Sequence, residues 1–83
     1  MADLSSAFVA GPGGVMTDEV GVVTGDLELR TTLADDGALR ATVRYEGAEE
    51  WYAVTGASCR LADPRDHEAV HAVLLGVLNR PQG

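Results

Sequence analysis

The two histidines of this chain fall in one five-residue stretch, His67-Glu68-Ala69-Val70-His71. On a helix, residues four apart stand one above the other, so two imidazoles at this spacing can share a metal ion. A glutamate beside the first can then take a proton from metal-bound water, the chemistry of the pattern H-E-x-x-H. Metal-assisted hydrolysis also needs a third protein ligand. After His71 the chain reads AVLLGVLNRPQG, with no His, Asp, Glu or Cys. Cys59 and Asp63, on the N-terminal side of the motif, are the candidates left to complete a set with His67 and His71.

The resemblance to zinc peptidases covers these five residues alone, and the glycine that the longer metzincin form carries three residues after the second histidine is Leu74 here. Helix geometry supplies a plainer reading. With His67 at 0° and about 100° per residue, the apolar stripe Val70, Val73, Leu74, Val77 and Leu78 centres at about 310° and His71 falls at about 40°. Both histidines then flank the buried stripe while Glu68 faces solvent. Catalytic residues and a cofactor are therefore not assigned, and the alternative is a metal-binding domain or minimal zinc hydrolase that uses His67 and His71. Cys59 has no lysine beside it to stabilise a thiolate and reads as a buried or half-buried structural thiol.

The element that carries the histidines has complete punctuation. Asp63 is a good N-cap, Pro64 suits the first helical position, and Asp66 favours the positive end of the dipole. Asn79 suits the residue after the helix, Arg80 complements its C-terminal end, and Pro81 prevents continuation. Upstream, DLELRTTL and ALRATVRYE alternate apolar and polar residues with period two. A three-residue loop Asp35-Asp36-Gly37, with Gly37 in the left-handed region, pairs Leu33 with Leu39 and Leu29 with Val43 and unites the apolar faces. The same register sets Glu28 opposite Arg44 on the other face. A second hairpin through Gly47-Ala48 brings Val43 opposite Tyr52 and Ala41 opposite Val54, with Trp51 beside Arg44 on the open face. A one-residue shift buries Trp51 instead, and the sequence leaves both registers open. Val20 to Val23 is either an added edge strand or the bent start of the first strand.

The open face of this sheet holds the second constellation. Arg30, Arg40 and Arg44 project there with Thr42, Thr55 and, in one register, Trp51, a set able to dock an acidic or aromatic partner. It resembles in a general way the sheet platforms of RNA-binding domains, which stack bases on several aromatics where this chain offers one. The β-β-β-α order is similar to that of double-stranded RNA-binding domains, but their basic helix motif is missing. The competing reading is a solvated face laced by pairs such as Glu28–Arg44, with Trp51 in the core.

Bulk properties narrow the class further. The chain has 83 residues, enough for one domain with a thin core that a partner subunit would help. Thirteen acids face six bases, all of them arginine, for a net charge of −7, which disfavours nucleic acid. Absent lysines with abundant Ala and Gly suggest a GC-rich genome. A single cysteine, no basic leader and no long apolar run point to a cytoplasmic domain free of the membrane. The sequence thus predicts an α+β fold: an antiparallel sheet of three, or four, strands with one C-terminal helix on one face. Residues 1–16 are expected as a flexible or loosely docked arm that GPGG (Gly11 to Gly14) cuts off, 17–80 as the domain and 81–83 as a tail. The expected function is that of a small acidic interaction or regulatory domain without catalytic activity. It would bind a protein partner through Arg30, Arg40, Arg44 and Trp51, or associate with itself as a homo-oligomer.

Overall fold

The computed structural model describes residues 2–79, so the expected roles of Arg80 and Pro81 and the 81–83 tail lie outside the described residues. Four strands, β1 (Ala2–Thr17), β2 (Gly21–Leu33), β3 (Ala38–Tyr45) and β4 (Tyr52–Arg60), are followed by a 3-10 turn (Pro64–Asp66) and helix α1 (His67–Leu78). The fold is α+β in β-β-β-β-α order. The sheet is antiparallel throughout, and it curls until the end of β1 meets β4 at Thr17–Val54 and closes a small barrel.

The first hairpin has the register that its alternation dictates: Leu33 faces Leu39, Leu29 faces Val43 and Glu28 faces Arg44. Leu29 and Val43 are fully buried, and burial of side chains this size stabilises by about 1.5–3 kcal/mol each. The Ala34 N–H closes the loop on the Ala38 carbonyl at 2.9 Å. Gly37 takes φ +91°, and a Cβ there would stand 2.7 Å from the Leu61 carbonyl. Gly37→Ala is expected to destabilise by about 2 kcal/mol, since positive φ alone costs an L-residue roughly 1–2 kcal/mol. A denaturation midpoint that falls at constant m value checks this.

The segment expected as an arm is the longest strand. Ala2 to Ala10 pair with Leu33 to Gly25, and Val15 to Thr17 pair with Val23 to Gly21. Gly11 to Gly14 bend β1 where they were expected to end it. Four residues bulge opposite one, Pro12 gives up an N–H no ladder requires, and Gly14 takes φ +66° where a Cβ would collide with the Val22 side chain. Phe8, in phase with Leu4 and Ser6, is thereby carried into the core beside Ala10, Val15, Val23, Leu27 and Val43. Val20 to Val23 resolve as the turn and bent start of β2, where the Thr17 hydroxyl donates to the Gly21 carbonyl at 2.7 Å and accepts from the Val20 N–H at 3.2 Å.

In the second hairpin Val43 faces Tyr52 as expected, but Val54 does not face Ala41. Val54 to Ala57 bulge away around Gly56 (φ +76°), and Val54 leaves β3 to pair with Thr17. This detour allows β4 to reach β1.

Helix entry follows the local rules. The Asp63 carboxylate accepts from the Arg65 N–H at 2.9 Å, and Pro64 opens the turn. Bonds from the Arg65 side chain and then its backbone hold the Asp63 carboxyl below its ordinary range. The exit differs from expectation. Asn79 is extended (φ −74°, ψ 96°), and its side-chain oxygen accepts from the Val9 N–H at 3.0 Å, tying the helix end to β1.

The helix also presents a different face from the one its stripe predicts. His67 and His71 are buried with Leu74, Leu75 and Leu78 partly covered, while Val73 is 65% and Val77 56% exposed. The buried face is thus turned by roughly 60° from the apolar stripe. Cys59, expected buried or half-buried, is exposed. It pairs with Leu39 near the end of β4, whereas α1 packs mainly on β1 and β2 and leaves that end uncovered.

Candidate functional site

The cause of the helix rotation is a hydroxyl. Thr31 is an inward-facing residue of β2 amid leucines and is wholly buried. Its Oγ1 lies 2.8 Å from His67 Nε2 and 2.7 Å from His71 Nδ1, and the other ring nitrogen of His71, Nε2, lies 2.9 Å from Ser6 Oγ on β1. A hydroxyl can give one proton and accept another, so Thr31 can accept from one imidazole and donate to the other. The chain Ser6–His71–Thr31–His67 is satisfied with both imidazoles neutral, its hydrogen bonds all running one way.

Three side chains in the order serine, histidine, threonine have the layout of nucleophile, base and orienting group. A hydroxyl, however, stands where proton transfer to His71 would require a counter-charge, and no described carboxylate is bonded to either imidazole. Burial, and next the neighbouring His67, push the His71 pKa below its ordinary 6.5. The metal alternative fares no better: among the described residues no three His, Cys, Asp or Glu side chains converge, and Thr31 occupies the space between the imidazoles. The network is a clasp that holds α1 on the sheet.

A consequence in pH follows. Below pH 6.5 the unfolded chain takes up a proton that folded His71 refuses, so the unfolded state binds more protons and stability falls. The clasp contributes fully above pH 6.5 and progressively less as pH drops toward the lowered folded pKa. An NMR titration of the His71 ring is expected to show a midpoint below 6.5, and Tm is expected to decline between pH 7.5 and 5.5 less steeply in His71→Gln.

On the opposite face of β2 and β3 the structure brings together the residues that the alternation pattern placed there. Trp51 is half-buried on the outer face, as the register with Tyr52 opposite Val43 requires. The Arg30 and Arg44 guanidinium carbons lie 4.1 and 4.5 Å from its ring centroid. Arg44 is also held by Glu28, through Nε at 2.9 Å and Nη2 at 2.8 Å to the same oxygen. Beside the ring opens a cleft of about 380 Å³ whose lining includes Arg30, Thr32, Arg40, Thr42, Trp51 and Ser58.

Charge in the cleft is unevenly spent. Asp18 and Glu19 rim it, but the Asp18 carboxylate accepts from the Thr55 hydroxyl at 2.6 Å and Glu19 from the Ala53 N–H at 2.9 Å, both helping to close the barrel. Arg44, Arg60 and Arg65 each pair with a carboxylate, whereas Arg30 and Arg40 have no ion pair among the described residues. Arg30 Nε is in addition a buried donor without a hydrogen-bond partner among those residues. A buried donor left unmet carries a free-energy cost of about 1–3 kcal/mol. With two guanidinium groups that have no ion pair among the described residues, the cleft suits a ligand group that carries negative charge.

Alternation gave away Arg30, Arg40 and Arg44 on this face, and left Trp51 open between two registers. The clasp was missed: Thr31 and Ser6 are the polar members of inward-facing series, and a hydroxyl in such a series is the signal of a buried polar partner. Comparison with protein-family profiles, with curated proteins and with solved structures finds no match.

Proposed function

We propose that this chain is a non-catalytic interaction domain that holds a carboxylate-bearing segment of a protein partner on its outer sheet face. The observation that carries this reading is the Arg30–Trp51–Arg44 stack beside a cleft in which Arg30 and Arg40 have no ion pair among the described residues. Arginine offers a planar fork that meets a carboxylate with two parallel hydrogen bonds, and tryptophan adds apolar area without rotamer freedom to lose. The net charge of −7 works against an acidic partner at long range, so the binding must come from the local arginines. At physiological ionic strength charges are screened over about 8 Å, so a ligand in the cleft responds to the arginines around it more than to distant acids.

Trp51 is the sole tryptophan, so intrinsic fluorescence reads the site directly. Titration with oligoglutamate is expected to change Trp51 emission saturably, with an affinity that falls as salt rises, while oligolysine has no effect. No response to oligoglutamate, or an equal one in the Arg30→Ala, Arg40→Ala double variant, overturns the proposal. A stronger response to oligodeoxythymidylate overturns it in favour of nucleic acid.

A further inference from the structure

The cleft beside Trp51 has two charged walls of opposite sign. Cross-strand pairing lines up Arg30 on β2, Thr42 on β3 and Ala53 on β4 in one row. Asp18 joins the far end of the row, where its N–H donates to the Ala53 carbonyl at 3.0 Å. Thr42 and Ala53 are small, so the row sinks between an arginine at one end and an acid at the other. Arg40 on β3 adds to the first wall, and Glu19, next to Asp18 in the β1–β2 turn, adds to the second. No ion pair joins the two walls among the described residues.

Each acid has acceptor capacity to spare. Asp18 uses one oxygen for the Thr55 hydroxyl and Glu19 one for the Ala53 N–H. The second oxygen of each takes no hydrogen bond among the described residues, and an ionised carboxylate offers about four lone-pair sites. Resting on the carboxylate reading of the cleft, we infer further that the partner's segment is dipolar. It carries a basic side chain close to its acidic one, the acid held by Arg30 and Arg40 and the base by Asp18 and Glu19.

Net charge favours such a ligand over a plain acid. A polyanion is repelled by a chain of net charge −7 before it meets the arginines, whereas a segment of balanced charge is not. Size sets the spacing. At about 380 Å³ the cleft lies at the small end of the ~300–1,000 Å³ range of ligand pockets, so the two charges must be near neighbours. On an extended segment residues i and i+2 share a face about 7 Å apart, and an acid and a base at that spacing enter together. A cation alone stays at the acidic wall, away from the indole stacked on Arg30 and Arg44, and leaves Trp51 emission unchanged.

End-blocked peptides of repeating Glu-Ser-Lys-Ser test this against oligoglutamate with the same number of carboxylates, both read by Trp51 fluorescence. The wild type is expected to bind the mixed peptide about five-fold more tightly, the effect of two exposed ion pairs. Asp18→Asn combined with Glu19→Gln keeps the oxygens to which Thr55 and Ala53 donate. That variant is expected to lose most of the preference and to bind oligoglutamate more tightly than the wild type does. Should it lose its sheet signal in circular dichroism, Glu19→Gln alone reads the same wall. A wild type that binds oligoglutamate as tightly as the mixed peptide overturns the inference, as does a preference undiminished by the carboxamides, and either result leaves the carboxylate reading standing. Binding of neither peptide overturns both. Displacement of the mixed peptide by free glutamine at equal concentration overturns the inference in favour of a small zwitterion.

Discussion

Thr31→Val is expected to lower the unfolding free energy by about 2–5 kcal/mol, because one hydroxyl satisfies two buried imidazoles. Valine keeps the shape of threonine and removes only the hydrogen-bonding atom. His67 Nε2 and His71 Nδ1 are then left facing a methyl group, and each stranded polar group costs about 1–3 kcal/mol. Small domains have only about 5–15 kcal/mol in total, so this substitution takes a large share of what holds the molecule together. Thr31→Ser supplies the control. It retains the hydroxyl and gives up one methyl group, about 1 kcal/mol of burial. Denaturant titration of the two variants should rank serine well above valine. Equal stability would mean that the imidazoles find other partners and that the clasp does not fix the helix.

On the binding side, Arg30→Ala and Trp51→Ala are each expected to weaken oligoglutamate binding about 30-fold, equivalent to about 2 kcal/mol at a central anchor. Arg30 stands to lose most, as a cation that lines the cleft and has no ion pair among the described residues. Trp51 holds Arg30 and Arg44 in place, and its removal releases two cation–π contacts, about 0.5–1 kcal/mol each at a surface. Arg44→Ala should cost less, because Glu28 already neutralises that guanidinium. Isothermal titration calorimetry reads all three, including the variant that has no fluorophore. Uniformly small losses would indicate binding elsewhere on the molecule.

Most of the sheet was legible because alternation and turn chemistry are local. DLELRTTL, the Asp35-Asp36-Gly37 loop and ALRATVRYE fix one another's register within a short stretch of chain, and with it the outward set Arg30, Arg40 and Arg44. The position of Trp51 needed one further fact, the pairing of Val43 with Tyr52, which local pattern left open. β1 was obscured by Gly11 to Gly14, where glycines that serve a bulge are indistinguishable in composition from glycines that end an element. The helix face was misjudged for a different reason. Hydrophobic periodicity ranks residues by their transfer free energy, and on that scale Val73 and Val77 belong inside and two histidines at the margin. The scale does not include partners. Ser6 and Thr31 convert the histidines into the better-satisfied buried set, and two valines are left to solvent.

The most direct test of the outer sheet face as a binding surface is an amide and indole chemical-shift map recorded while oligoglutamate is added to the labelled protein. The Trp51 indole and the amides of Arg30, Arg40, Thr42 and Ser58 are expected to move together and saturate, while Val73 and Val77 on α1 stay still. Shifts confined to α1, or none at saturating peptide, would contradict it.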